Sequence, residues 1–79
     1  MNLKPLTEND LIEAFTSDTE IWANTPLHGP VRGRISSIEK SVYGGPAKIR
    51  FKYPSYPGFI FTSYAGDFYI DTDVHNNYA

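Results

Sequence analysis

The chain has 79 residues and a net charge of −2, and it contains no cysteine, which excludes disulfides and thiolate metal sites. A chain of this length forms one domain at most, and no stretch reaches the roughly 18–20 apolar residues that a membrane span requires. Apolar burial must therefore stabilise the fold, and six tyrosines, five phenylalanines and one tryptophan are its main source, because each ring buries about 150–250 Å².

Residues 7–17 predict a short helix. Thr7 is suited to cap this helix through its hydroxyl, and Asp10 stands where the glutamate of a capping box would stand. One side of the helix is apolar and is formed by Leu11, Ile12 and Phe15. Because such a short helix is marginal in isolation, it must pack on the rest of the chain.

Residues 20–73 predict a β-rich region. Residues 20–23 are a short extended segment, and from Val31 onward apolar and polar residues alternate, as they do in a strand with one exposed face. Ile38 is out of phase with this alternation, which predicts a bulge or a bend near residues 36–37. Gly33 inside the strand predicts either the same local strain or a neighbouring backbone that comes very close.

The second half of this region predicts three more strands. The first, at residues 47–53, has the most regular alternation in the chain. Two further strands, at residues 59–64 and 68–72, are joined by a tight turn and predict a hairpin. The core is predicted to contain Phe51, Phe68 and one of Phe59 and Phe61.

These elements predict an α+β fold in a single domain that spans residues 1–79. A short N-terminal helix packs on a curved, mainly antiparallel sheet of about four strands, and a small SH3-like barrel is one form that such a sheet takes. Residues 74–79 are polar and predict a frayed C-terminal end. The N-terminal residues lack the layout of a secretory signal, which together with the absence of cysteine predicts a cytoplasmic protein.

Charge is segregated along the chain. Residues 1–30 carry one cation and five carboxylates, residues 31–58 carry six cations and one carboxylate, and residues 59–79 carry three carboxylates. Strand alternation puts five of these cations on one exposed face, namely Arg32, Arg34, Lys48, Arg50 and Lys52. A basic face flanked by aromatic residues is typical of single-stranded nucleic-acid binding, whereas the simpler interpretation is a solvated face that discourages edge pairing.

Tyr53 and Tyr56 each precede a proline in a stiff loop after the most regular strand. A stiff loop loses little entropy on binding, and tyrosine and arginine are enriched at binding hot spots. We therefore predict that these two tyrosines and the five cations bind a partner. The alternative is that the loop only closes one end of the sheet.

Asp71, Asp73 and His75 alternate in a spacing that could place three metal ligands on one face of an extended segment. His28 could add a fourth ligand if its loop folds back. A merely polar strand end is the alternative interpretation, and we predict neither a metal nor a cofactor.

Catalytic motifs are missing from the sequence: it has no cysteine nucleophile, no Gly-x-Ser-x-Gly elbow and no phosphate-binding glycine loop. We expect a non-enzymatic protein-binding module, monomeric or homodimeric, that does not associate with membranes. Small inhibitors from phages and mobile elements, which occupy a surface of a larger host protein or nucleoprotein complex, have this character by analogy. The alternative is a nucleic-acid-binding domain that uses the basic, tyrosine-flanked sheet face.

Overall fold

A computed structural model describes residues 2–73 of the chain. A short strand precedes the helix and five strands follow it: β1 (Leu3–Pro5), α1 (Glu8–Thr16), β2 (Ile21–Thr25), β3 (Gly29–Glu39), β4 (Lys48–Lys52), β5 (Ile60–Ser63) and β6 (Phe68–Asp71). The strands form one antiparallel sheet in the order β1-β6-β2-β3-β4-β5. The predicted α+β class is confirmed, but the estimate of about four strands was too low.

The sheet is open in the described part of the chain, because β1 and β5 are both edge strands; an SH3-like barrel is not confirmed. The predicted hairpin between the last two strands is wrong. β5 pairs with β4, whereas β6 lies between β1 and β2. In this position β6 has a hydrogen-bonded neighbour on both sides, and its first residue, Phe68, is fully buried.

The helix begins with a reciprocal capping box, as predicted. The backbone N–H of Asp10 donates to Thr7 Oγ1 at 3.2 Å, and the backbone N–H of Thr7 donates to Asp10 Oδ2 at 3.0 Å. Leu11 is fully buried, but Phe15 stays exposed because only part of the predicted apolar side enters the core. Glu8 accepts a hydrogen bond from the backbone N–H of Ala47, which ties the helix to the approach to β4.

The core lies on the helix side of the sheet. Its largest fully buried side chains are Phe51, Phe68, Leu11, Ile21 and Ile49. Phe68 contacts both Phe51 and Phe61 with ring centroids 5.7 Å apart, in the tilted geometry that aromatic pairs favour. Of the two alternatives for the third core phenylalanine, Phe61 packs against the core and Phe59 is exposed.

Two local predictions about β3 are confirmed. The register between β3 and β4 shifts between Ile35 and Ser37, which is the expected bulge. A Cβ atom on Gly33 would lie 2.0 Å from the backbone oxygen of Lys52. Only glycine fits at this point, because the backbone of β4 lies too close for a Cβ atom.

Candidate functional site

The basic face consists of Arg32, Arg34, Lys48, Arg50 and Lys52, all exposed. In β4 its three cations alternate with the buried Ile49 and Phe51, so they lie on the side of the sheet away from the core. Arg34 is directly opposite Lys52 in the register between β3 and β4, which brings the two cationic rows side by side.

Carboxylates from the segment before β2 face the β3 part of the basic face. The guanidinium of Arg34 lies 3.5 Å from Asp18 Oδ2 and also donates to the Asp18 backbone carbonyl. The guanidinium of Arg32 lies 3.8 Å from Glu20 Oε1. Within residues 2–73 no carboxylate oxygen lies within 4.0 Å of the β4 cations. Glu39 is directly opposite Lys48 in the register, so Arg50 and Lys52 carry the positive charge that is most open to a ligand.

A second feature, the aromatic corner, consists of His28, Tyr53, Tyr56 and Phe59. The rings of His28 and Tyr56 are stacked with centroids 3.6 Å apart, and Phe59 meets the His28 ring edge-on at 5.0 Å. Nδ1 of His28 lies 3.1 Å from the hydroxyl of Tyr53. The corner therefore joins the turn between β2 and β3 to the loop between β4 and β5.

Local hydrogen bonds shape both parts of the corner. In the β2–β3 turn, the buried Thr25 hydroxyl donates to the Gly29 carbonyl at 2.8 Å and accepts from the backbone N–H of His28 at 3.0 Å. In the β4–β5 loop, the backbone N–H of Tyr56 donates to the Tyr53 carbonyl, and that of Phe59 donates to the Tyr56 carbonyl. These bonds fix the rings before any ligand arrives.

A groove of 640 Å³ connects the aromatic corner to the basic face. Its apolar lining includes Phe59 and Ile60, whose side chains are 48% and 55% exposed, and its charged lining includes Arg34, Lys52 and Glu20. The volume lies in the range of small-ligand sites, about 300–1,000 Å³. The groove can accept an apolar side chain and, at its rim, a negative charge.

Of the seven residues predicted to bind a partner, the structure places the five cations on the outer face of the sheet and Tyr56 in the exposed loop between β4 and β5. Tyr53 itself is buried in the core and forms part of the groove lining, whereas Tyr56 is exposed. Sequence reasoning did not include His28, Phe59 and Ile60 in the site. His28 lies 25 residues before Tyr53, and no local pattern signals such a contact.

Of Asp71, Asp73 and His75, the residues considered as metal ligands, the structure describes the first two. The carboxylate of Asp71 takes part in hydrogen bonds within the fold. Asp71 Oδ1 accepts from the backbone N–H groups of Asn2, at 3.2 Å, and of Asp73, at 3.0 Å. These hydrogen bonds, chiefly the one from Asn2, hold the pKa of Asp71 below its ordinary value of 3.8. His75 lies outside the described residues, and residues 2–73 contain no cluster of three potential metal ligands.

Two further findings concern membrane helices and the similarity of this chain to known proteins. No helix in the described part of the chain is long and apolar enough to cross a bilayer. Comparison of the sequence with protein-family models and with curated proteins, and of the fold with solved structures, finds no match.

Proposed function

We propose that this chain is a small, non-enzymatic protein-binding module that contacts a larger protein through its groove, aromatic corner and basic face. The observation that carries the proposal is the groove itself. There, exposed Phe59 and Ile60 lie beside the cations Arg34 and Lys52, next to Tyr56, whose ring is stacked on His28. Exposed apolar surface rimmed by charge is typical of protein interaction sites.

Preorganisation supports this function. Tyr56 and Phe59 both contact His28, so a partner does not have to order these side chains when it binds. Arginine and tyrosine are the residue types that dominate interface hot spots. The segregated charge gives the approaching partner a preferred orientation.

The specific form that we propose is inhibition: the module occupies a working surface of a host protein or nucleoprotein complex, as inhibitors encoded by phages and mobile elements do. It acts in the cytoplasm as a monomer or homodimer and needs no cofactor. A nucleic-acid-binding function is the second candidate, because Arg50 and Lys52 form no ion pair with a carboxylate among residues 2–73. It predicts binding that weakens steeply with salt.

The test replaces an exposed apolar residue by serine at two places, one in the groove and one outside it. Tagged wild-type chain, Phe59→Ser and Val42→Ser are used to capture proteins from the source cell, with mass-spectrometric identification. Val42 is the control because it is exposed in the loop between β3 and β4, away from the groove. We expect one partner to bind wild type and the control equally and to bind Phe59→Ser at least about tenfold more weakly.

Circular dichroism of the three proteins establishes that each is folded. A partner that binds all three equally, or no partner at micromolar concentration, would contradict the proposed function. Inhibition is tested on the captured protein by measuring its activity with increasing amounts of wild type and of Phe59→Ser.

A further inference from the structure

We propose that the segment recognised on the partner is an extended acidic strand that pairs with the free edge of β5 and puts one apolar side chain into the groove. This inference rests on the proposed function and names the chemistry of its ligand. Four observations carry it: the character of the two sheet edges, the register of β4 with β5, the place of the groove, and the charge of the face.

The two edges of the sheet differ in how well they resist pairing. β1 has only three residues and includes Lys4 and Pro5, and a charge and a proline are the usual protections of an edge strand. β5 has the sequence Ile-Phe-Thr-Ser, with neither a charge nor a proline. Among the described residues it pairs with β4 alone, so one side of its backbone is available to an added strand.

The register places positive charge beside this edge. Ile60 is directly opposite Lys52, and Thr62 is directly opposite Arg50. An added strand would lie about 4.8 Å beyond β5, and its alternate side chains would repeat every 6.6 Å or so. That repeat equals the spacing of Lys52 and Arg50 along β4. Carboxylates at alternate positions of the added strand would therefore face the two cations from two strand spacings away, about 9.6 Å. The long lysine and arginine side chains would reach toward these carboxylates past Ile60 and Thr62 of β5.

The groove lies at the beginning of β5, where Phe59 and Ile60 form part of its lining. An added strand consequently reaches the groove at one of its ends. A single large apolar side chain at that end would contact both residues and the edge of the aromatic corner. The recognised segment thus has an apolar anchor at one end, followed by acidic residues at alternate positions.

The same observations disfavour nucleic acid as the occupant. A nucleic-acid strand has no peptide groups to pair with the β5 backbone, and the carboxylates of Asp18 and Glu20 lie beside the two arginines. One face of the Tyr56 ring is already covered by His28, so it is closed to a base. A second copy is disfavoured because its β5 contains no acidic residue and would therefore offer no carboxylate to Arg50 and Lys52.

The experiment selects ligands from phage-displayed random peptides of about 12 residues on the immobilised full chain. We expect enrichment of Asp and Glu at alternate positions next to one large apolar residue. The selected peptide should bind Lys52→Glu about tenfold more weakly than wild type and Lys40→Glu with unchanged affinity. Lys40 is the control because it lies outside the strands, before the loop at the far end of β4.

Amide hydrogen exchange then distinguishes strand addition from simple contact with the basic face. Binding of the selected peptide should protect the β5 amides that do not donate to β4, and N-methylation of alternate peptide groups should abolish binding. Selection without acidic alternation, no selection at all, or binding without protection of residues 60–63 overturns the inference. Tighter binding of oligo(dT) of about 15 nucleotides than of the peptide, or self-association of the chain, also overturns it.

These outcomes separate the inference from the proposed function. If the partner from the source cell depends on Phe59 but the peptide results fail, the module binds a partner of different chemistry. If Phe59→Ser captures as well as wild type does, both proposals fail together.

Discussion

The two loops at the ends of β4 have similar compositions, but one holds a buried tyrosine and the other an exposed one. The loop after β4 contains Tyr53, which is 5% exposed and whose hydroxyl meets Nδ1 of His28 at 3.1 Å. The loop before β4 contains Tyr43, which is 95% exposed. Each loop also contains glycine and proline, so composition alone does not distinguish them.

The two loops differ in how far along the chain the residues lie that contact their tyrosines. Before β4, Tyr43 and Gly44 form hydrogen bonds with Ser41 alone among residues 2–73, two and three residues away. Only the end of this loop has a distant hydrogen bond among those residues, from the Ala47 N–H to Glu8. After β4, the rings pack on His28 from another turn of the sheet. A loop fixed by a distant residue presents a defined surface, whereas an exposed tyrosine held by local bonds does not. This is why we place the binding site at the corner end of β4.

Removing one tyrosine from each loop should give the largest contrast. Tyr53→Ala deletes a buried ring and the hydrogen bond to His28, and we expect it to lower the free energy of unfolding by about 3–5 kcal/mol. Tyr43→Ala should change it by less than about 0.5 kcal/mol, as for an exposed residue. Urea denaturation measures both values.

An intermediate variant keeps this test informative if Tyr53→Ala does not fold. Tyr53→Phe removes only the hydroxyl, and its cost should be about 1 kcal/mol, the typical net value of one hydrogen bond. Equal effects of alanine at Tyr43 and Tyr53 would show that the two loops do not differ as described.

A pair of glycines extends the comparison to the backbone. Gly33→Ala would place a Cβ 2.0 Å from the Lys52 carbonyl oxygen and 2.8 Å from the Phe51 ring, so the strands beside the aromatic corner must separate. We expect a loss of about 3 kcal/mol, at the upper end of overpacking. Gly45→Ala meets only the Ser41 side chain at 3.4 Å and should be nearly neutral. Thermal unfolding of the two variants decides between these outcomes, and similar melting temperatures would argue against a tight β3–β4 contact.

The predictions that succeeded from sequence all depended on short-range patterns. The capping box needs only Thr7 and Asp10, three residues apart, and the basic face needs only the alternation within β3 and β4. The bulge followed from Ile38 being out of phase. In each case the signal and the structure lie within one element, so periodicity is sufficient.

The predictions that failed involved pairing between distant segments. β1 is too short to show periodicity, and its partner β6 begins more than sixty residues later. The hairpin was inferred because a tight turn usually joins paired strands. Burial of Phe68 against Phe51 and Phe61 instead places β6 on the other side of the core. Such a choice depends on the packing of the whole chain.

The candidate site shows the same division. Its cations and two of its tyrosines could be predicted from alternation and loop stiffness. His28 could not, because its role comes from stacking on Tyr56. The groove also could not, since its lining combines the β4–β5 loop with Arg34 and Ile35 of another strand.

Lowering the pH should have the smallest effect on stability. The first group considered is Asp10 of the helix cap, which lies away from both ends of β4. The backbone N–H of Thr7 is the chief cause that holds the pKa of Asp10 below its ordinary value of 3.8, so folding favours the ionised carboxylate. Its contribution to stability is therefore complete above that value and is lost as the pH falls through the lower pKa of the folded state.

In Asp10→Asn the free energy of unfolding should fall less steeply with decreasing pH below about 4 than in wild type. Asp71→Asn should behave in the same way, because the N–H of Asn2 lowers the pKa of Asp71. Denaturation at a series of pH values measures these slopes.

Amide exchange near the acid limit should show α1 and the β1–β6 pair opening before residues 51–53. If the aromatic corner opened first, its distant contacts would be weaker than those that hold the helix cap, and the contrast between the two ends of β4 would not extend to stability.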